Sequence, residues 1–434
     1  MNSQKYLEAL KKVDPYKVNG KVQKIVGMVI ESSGPAASIG ELCFIDNREK
    51  KKILAEVVGF KEDRVILMPL GEMRGITPGS FVVSSGKDFS LEVGKGLVGR
   101  VLNGLGQPID GKGELQKCEE RSIHSAPPEP LKRKRIVAPF HTGIKAIDTL
   151  LTCGQGQRMG IFSGSGVGKS VLLGMIARDS SADVNVIALI GERGREVREF
   201  IERDLKEEGL KKTVVVAATS DQPPLVRVKA ALVATTVAEY FRDLGMNVLL
   251  LMDSLTRIAL AQREVSLAVG EPPTTRGFTP SVFSLLPQIL ERAGASDSGS
   301  ITGFYTVLVE GDDFNEPISD CSRATLDGHI ILSRKLAGLN HYPSIDILES
   351  VSRVMKDVAS REQLELSDRL KNLLAAYKEA EDLINVGAYS SGSSRKIDYA
   401  LSRMEKINAF LRQKIDEHSN FETSMNLLKE IFKE

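Results

Sequence analysis

Gly160–Ser170 reads GIFSGSGVGKS. An apolar run, Met159–Phe162, leads into it, and a helical stretch, Lys169–Arg178, follows. Strand, glycine-rich turn and helix in that order are the setting a Walker A phosphate loop requires. The cradle takes in Ser163, Gly164, Ser165, Gly166, Val167, Gly168, Lys169, Ser170 and Val171. Its three glycines let the backbone turn with no Cβ in the way, so successive N–H groups can face phosphate oxygens. The helix N-terminus adds the positive end of its dipole. Lys169 offers a charge to the β- and γ-phosphates of ATP, and Ser170 offers a hydroxyl to Mg²⁺. Ser163 stands where the motif has its first glycine. Serine is small, and the remaining glycines carry the turn.

Holding ATP is not cleaving it. In-line attack on the γ-phosphate needs an oriented water and neutralised charge. Two further segments supply carboxylates. NVLLLMDSLTR reads as a buried strand ending in Asp253, which can reach the Mg²⁺ shell; the plainer reading is a helix cap. VIALIGERGREV puts Glu192 just past the carboxyl end of another core strand, the edge where ligands bind in doubly wound sheets. The plainer reading there is one charge in a solvated turn.

Around these motifs the chain divides into regions. Residues 1–20 carry Tyr6, Leu7, Leu10 and Val13 on one helical face, a partner-binding segment or a frayed end. Residues 21–90 read as short strands between Gly, Pro and Asn turns, with candidates at Val22–Ile30, Glu41–Ile45, Lys52–Phe60, Val65–Leu70 and Ser80–Ser84, the spacing of a small β-barrel. Residues 91–355 begin with a Gly- and Pro-rich connection to 135. They continue as strands alternating with helices, including a helix over Arg195–Lys206, the pattern of a parallel sheet covered on both faces. Residues 356–434 are helical, with Leu366, Leu370, Leu373, Tyr377 and Ile384 on one stripe and Ile397, Leu401, Met404 and Phe410 on a second.

Composition narrows the class. The 434 residues carry 58 Lys and Arg against 57 Asp and Glu, so no whole-molecule field draws nucleic acid or acidic lipid. Four dispersed cysteines form no CxxC pair. The first residues lack the apolar core of a secretory signal, and no apolar run is long enough to span a bilayer. These features imply a cytoplasmic protein, at most peripheral to a membrane.

SGSGVGKS, LIGERGREV, LLLMDSLTR, GEPPTTRGFTPSVF, YTVLVEGDD, LDGHIILSRKLA and HYPSIDILESVSR occur in that order. Together they resemble the rotary-type ATPases that include the catalytic subunit of F-type ATP synthase. GERGREVREFIERDL, EYFRD, AQRE, EGDDFNEPI and INVGAY are similar to the type III export ATPase branch, the flagellar form in particular. The resemblance covers about residues 20–430. It implies a six-strand barrel, a RecA-like ATPase domain and a helical C-terminal domain. It assigns Glu192 to water activation, Asp253 to the Walker B role, Tyr342 to stacking on adenine, and Arg353 to an arginine finger reaching a neighbouring subunit's site. Tyr389, Arg193 and Arg257 are lesser candidates. A finger in trans implies a homohexamer. The branch further implies a stator-like negative regulator at the N-terminus, a coiled-coil central stalk protein, an export gate and chaperone–substrate complexes. It places the protein at the inner face of the cytoplasmic membrane.

Three alternatives stand beside the flagellar reading. A virulence secretion ATPase is the same enzyme in another machine. A Rho-like RNA translocase shares the layout, but the barrel region offers only Phe44, Phe60, Phe81 and Phe89, too few stacking platforms, so no nucleic-acid partner is expected. A non-catalytic regulatory subunit would not keep Lys169, Ser170, Glu192 and Asp253 together.

Overall fold

The computed structural model describes residues 18–49, 51–309, 311 and 313–433. The partner-binding segment expected over residues 1–20 lies, up to residue 17, outside them. Two compact units make up the chain, and the first is built around its N-terminal residues up to Ser90.

Six strands form the first unit: β1 (Gly20–Val26), β2 (Val29–Ser32), β3 (Glu41–Asp46), β4 (Lys52–Lys61), β5 (Arg64–Pro69) and β6 (Phe81–Asp88). They close a barrel in the order β1-β2-β5-β4-β3-β6. Val22, Ile30, Ile45, Val57, Leu67 and Val82 fill its interior. Inward and outward residues alternate along a barrel strand, and this gives the run its period of two. The strand expected over Val22–Ile30 is not one strand. It breaks at Gly27, whose φ of 57° turns the chain, and Val26 pairs with Val29. Glycine meets no Cβ penalty in that conformation.

The second unit is built on a sheet of β7 (Val101–Asn103), β8 (Arg158–Ser163), β9 (Val184–Ile190), β10 (Thr213–Ala218), β11 (Asn247–Asp253), β12 (Ser300–Leu308), β13 (Gly328–Leu332) and β14 (Ile345–Ser352). Their order is β14-β13-β8-β12-β11-β9-β10-β7. All these neighbours run parallel except β13 and β14, which are antiparallel. Every residue of β9 is buried, which is why it reads as one apolar run rather than an alternating one.

One face of the sheet, with Ile187, Leu189, Leu249 and Leu251, packs on Leu172, Leu173 and Ile176 of helix α1 (Lys169–Asp179). A short helix, α2 (Arg334–Gly338), follows β13. Beyond β14 come α3 (Arg361–Asn385), α4 (Arg395–Leu411) and α5 (Phe421–Glu430). Ser360, Ser394 and Asn420 cap their N-termini by accepting from the backbone N–H three residues on. Leu370, Phe410 and Leu428 of these helices enter the same core as the sheet face. Among the described residues no helix is long and apolar enough to cross a membrane.

Two parts of this unit differ from expectation. The helix expected over Arg195–Lys206 is α-helical only over Gly194–Glu199, widens to a π-turn over Phe200–Leu205, and resumes at Lys206–Leu210. The Gly- and Pro-rich connection contributes β7, which extends the sheet beside β10.

One buried ion pair ties this unit together. Arg292 and Glu239, with side chains 3% and 6% exposed, meet at 2.6 Å. The guanidinium also donates to Ile123 O at 2.7 Å and Thr236 Oγ1 at 2.9 Å. Removing one partner leaves the other charge buried and unpaired. Glu239→Ala is therefore expected to cost about 3–5 kcal/mol. A shift in the thermal or urea unfolding midpoint measures it; a midpoint within error of wild type contradicts this account.

Candidate active site at the carboxyl edge of the sheet

β8 lies inside the sheet, between β12 and β13, and delivers its last residue, Ser163, to the carboxyl edge. Ser163 is fully buried, so the position tolerates only a small side chain. From there the chain turns through Gly164–Gly168 into α1. Gly166 (φ 80°) and Gly168 (φ 87°) are left-handed, a conformation that favours glycine. Gly168 is the N-cap of α1, and no side chain caps that end. The first-turn N–H groups therefore have no side-chain acceptor, as an anion site requires. Ser165, Gly166 and Ser170 face solvent, whereas Val167 is buried and Val171 packs against the core.

Lys169 begins α1, and its ammonium lies 2.5 Å from Asp253 Oδ1 and 3.7 Å from Glu192 Oε1. Asp253 closes β11 and also accepts the Thr306 hydroxyl of β12 at 2.6 Å. Glu192 stands two residues past β9. Three strand ends thus bring one cation and two carboxylates together. Burial alone would lower the lysine's pKa, but the charges of Asp253 and Glu192 outweigh it and hold the ammonium above its ordinary value. The Glu192 carboxyl is pushed up to about 7. Burial is the main cause; Lys169 pulls the value down, while the charge of Asp253 pushes it up. A carboxyl poised near neutrality can take a proton and give it up again.

Gly191 (φ 71°) allows Arg257 to come close: a Cβ added there would sit 2.9 Å from that of Arg257. Arg257 thereby borders the Glu192 turn, and its charge is among those lowering the Glu192 pKa. Arg193 is exposed and pairs with Glu196 at 3.6 Å.

Tyr342 reaches the other end of the loop. Its ring covers Gly168, where an added Cβ would lie 3.2 Å from it. Behind the ring opens a cavity of about 1390 Å³, walled by Tyr342, Val171, Met175, Phe410 and Ile431, with Lys145 and Glu417 among its polar groups. Apolar walls with a few polar groups suit a nucleotide base. Phe410 reads in the sequence as a core residue, and its place in the wall follows only from how α4 docks. Tyr389 is not brought here: its hydroxyl bonds Asp398 and the Ser394 carbonyl in the turn before α4.

Arg353 is also kept away from this loop. It follows β14, which runs antiparallel to β13, and its N–H donates to Asp327 O at 3.0 Å. The Asp327 carboxylate pairs with Arg158, the first residue of β8. Arg353 therefore leaves the sheet at the opposite edge, a strand's length or about 16 Å from its own phosphate loop. Its side chain is exposed.

Ser170 and Asp253 are hard oxygen donors, and among the described residues no group of three or more His, Cys, Asp or Glu side chains is placed to hold a metal. Mg²⁺ keeps several waters and takes phosphate oxygens rather than a full protein cage. One hydroxyl and one carboxylate beside a phosphate loop fit that ion.

A glycine-rich loop on an inner strand of a parallel sheet, with a helix starting at its lysine, places the chain among RecA-like P-loop ATPases. Its family is narrower. The nucleotide-binding domain of the ATP synthase alpha/beta family matches residues 143–352, and that family's beta-barrel domain matches 22–86. The T3SS EscN ATPase C-terminal domain matches residues 359–430. The chain belongs to the ATP synthase alpha/beta family, and it is an ATPase. It is 52% identical to the flagellum-specific ATP synthase of Bacillus subtilis, over 99% of this chain and 98% of that one. It is 50% identical to the type 3 secretion system ATPase of Xanthomonas euvesicatoria, over 95% and 93%. It also matches the assembled ATPase EscN of enteropathogenic E. coli, solved in complex with its central stalk EscO. There the TM-score is 0.88 and the identity 47%, over 95% of this chain and 99% of that one.

The Glu192 carboxyl predicts a pH profile. A carboxylate must be ionised to accept a proton, and this one is protonated below about 7. If Glu192 serves as the base, kcat/KM for ATP, which reports the free enzyme, is expected to rise with pH through neutrality and level off above it. A kcat/KM that stays flat across that range argues against that role for Glu192.

Proposed function

We propose that this chain hydrolyses Mg-ATP at the subunit interfaces of a homohexameric ring and so powers protein export through the flagellar type III secretion apparatus. The observation that carries the chemistry is the Lys169 ammonium set between Asp253 and Glu192 at the mouth of the phosphate loop. The relatives carry the context. A flagellum-specific ATP synthase is similar over nearly the whole chain, and the E. coli relative is an assembled ATPase with a central stalk.

In this reading the amides of Ser163–Val171 hold the phosphates and Lys169 offsets their charge. Tyr342 and Phe410 hold the adenine between them. Ser170 and Asp253 would hold Mg²⁺, which would supply charge neutralisation at the phosphates. Glu192 orients a water in line with the bond to be cut. As the water oxygen bonds to the γ-phosphorus, its proton passes to the Glu192 carboxylate, and the bond to the ADP oxygen breaks. Arg353 lies a strand's length from the loop of its own chain, so the finger is Arg353 of the neighbouring copy. A guanidinium so placed is worth about 10³–10⁵ in rate. A closed ring gives every copy such a neighbour.

The setting follows from the same reading. The ring works at the cytoplasmic face of the membrane and turns against a coiled-coil central stalk. It is restrained by a stator-like negative regulator at its N-terminus, and it passes chaperone–substrate complexes to the export gate. Nucleic acid has no part in it.

Lys169→Ala is expected to lose both tight nucleotide binding and turnover. Glu192→Gln is expected to lose turnover while still binding ATP, because it disables the base and spares the cradle. Titration calorimetry and phosphate release separate the two, and a Glu192→Gln protein that turns over like wild type sinks the assignment. Arg353→Ala is expected to abolish turnover by the ring. Mixing it with Lys169→Ala chains is expected to restore part of the rate, since some interfaces then pair an intact loop with an intact finger. No recovery at any mixing ratio would mean that the finger does not act between subunits.

A further inference from the structure

The stretch from the end of β13 to the start of β14 touches the phosphate loop at three successive places. At its beginning, the guanidinium of Arg334 lies on Gly164; a Cβ added to that glycine would meet Arg334 Nε at 2.5 Å. Near its end, the ring of Tyr342 covers Gly168. At the last residue before β14, Ser344 Oγ donates to the carbonyl oxygen of Val167, between those two glycines of the loop, at 2.7 Å. The stretch is closed on itself by Ser333 N–H donating to Ser344 O at 2.8 Å.

The Ser344 contact has a consequence for the phosphates. Val167 O and the Gly168 N–H belong to the same peptide unit. In a planar trans peptide the C=O and N–H point in opposite directions. Holding the Val167 carbonyl outward against Ser344 therefore aims the Gly168 N–H into the loop. Ser344 is 1% exposed and Val167 2%, so no bulk water competes for this carbonyl. Free of that bond, the peptide could rotate to satisfy its carbonyl elsewhere. The Gly168 N–H would then leave the phosphate side, as a left-handed glycine on one flank readily permits.

We propose that Ser344 is a positioning residue for ATP hydrolysis: its hydroxyl fixes the Val167–Gly168 peptide so that the Gly168 N–H faces the β-phosphate. Because Ser344 is two residues from Tyr342, the same turn sets the distance between the base clamp and the phosphate cradle. The inference rests on the phosphate loop being the nucleotide site, as proposed above.

Ser344→Ala removes the donor with little change of shape. A lost hydrogen bond that strands a buried acceptor is expected to weaken ATP and ADP binding by about five- to thirtyfold. AMP lacks the β-phosphate, so its affinity is expected to stay within about twofold, less than half a kcal/mol. Ser344→Thr keeps the hydroxyl and is expected to recover ADP affinity. The measurement is titration of the full-length chain with each nucleotide, with a thermal melt alongside. Equal weakening for AMP and ADP, or a lower melting temperature with unchanged ADP affinity, would make Ser344 a structural residue only and overturn the proposal. If wild-type protein itself bound AMP and ADP equally well, the phosphate-loop reading would fail first, and the two failures are told apart by that control.

Discussion

The lysine at the head of α1 is the constraint on which the site depends. Its ammonium is 2.5 Å from one carboxylate and 3.7 Å from another. The three groups arrive from the ends of β8, β11 and β9, so their meeting requires the sheet to hold those ends in register. Electrostatics closes the arrangement. The ammonium attracts both carboxylates, and the charge of Asp253 in turn pushes the Glu192 carboxyl up. The lysine keeps Asp253 paired and moderates the rise that burial imposes on Glu192. Glu192 is thereby left near neutrality, where proton transfer is effective.

Strand direction then decides what one chain can do. Parallel β8, β9, β11 and β12 all end on the same edge, which collects the loop, the two carboxylates and Thr306. The reversal of β14 against β13 carries Arg353 to the other edge. In the proposed reading Arg353 serves the site of a neighbouring copy, and a closed ring gives every copy such a neighbour. The C-terminal helices share the hydrophobic core of the sheet and wall the cavity behind Tyr342 through Phe410 and Ile431. That cavity is thus built from parts more than two hundred residues apart, Val171 and Ile431 among them.

Much of this was legible along the chain, for physical reasons. A strand buried on both faces is largely apolar, so Val186–Ile190 of β9 and Val248–Met252 of β11 show themselves. A phosphate loop needs left-handed glycines, so GSGVG shows itself. Elements without a local cause were hidden. Val22–Ile30 carries no turn signal beyond Gly27, and the conformation of that glycine makes it a hairpin. The π-turn at Phe200–Leu205 has no compositional mark. β7 is three residues of a turn-rich stretch, recruited by the open side of β10. Arg334 and Ser344 look like ordinary polar residues beside a strand. They matter because β13 lies next to β8 and sets them against the loop.

By itself the sequence determined the chemistry on offer: a glycine turn ending in lysine, two carboxylates placed after apolar runs, and the order barrel, sheet, helices. Each depends on neighbours a few residues away, through backbone conformation and periodicity. Tertiary structure alone decided which of those groups meet. It brought Glu192 and Asp253 to one ammonium, set Tyr342 and Phe410 around one cavity, tied Ser344 to Val167, and sent Arg353 to the far edge. Those outcomes rest on strand order and direction, which arise from how whole elements bury their faces against one another.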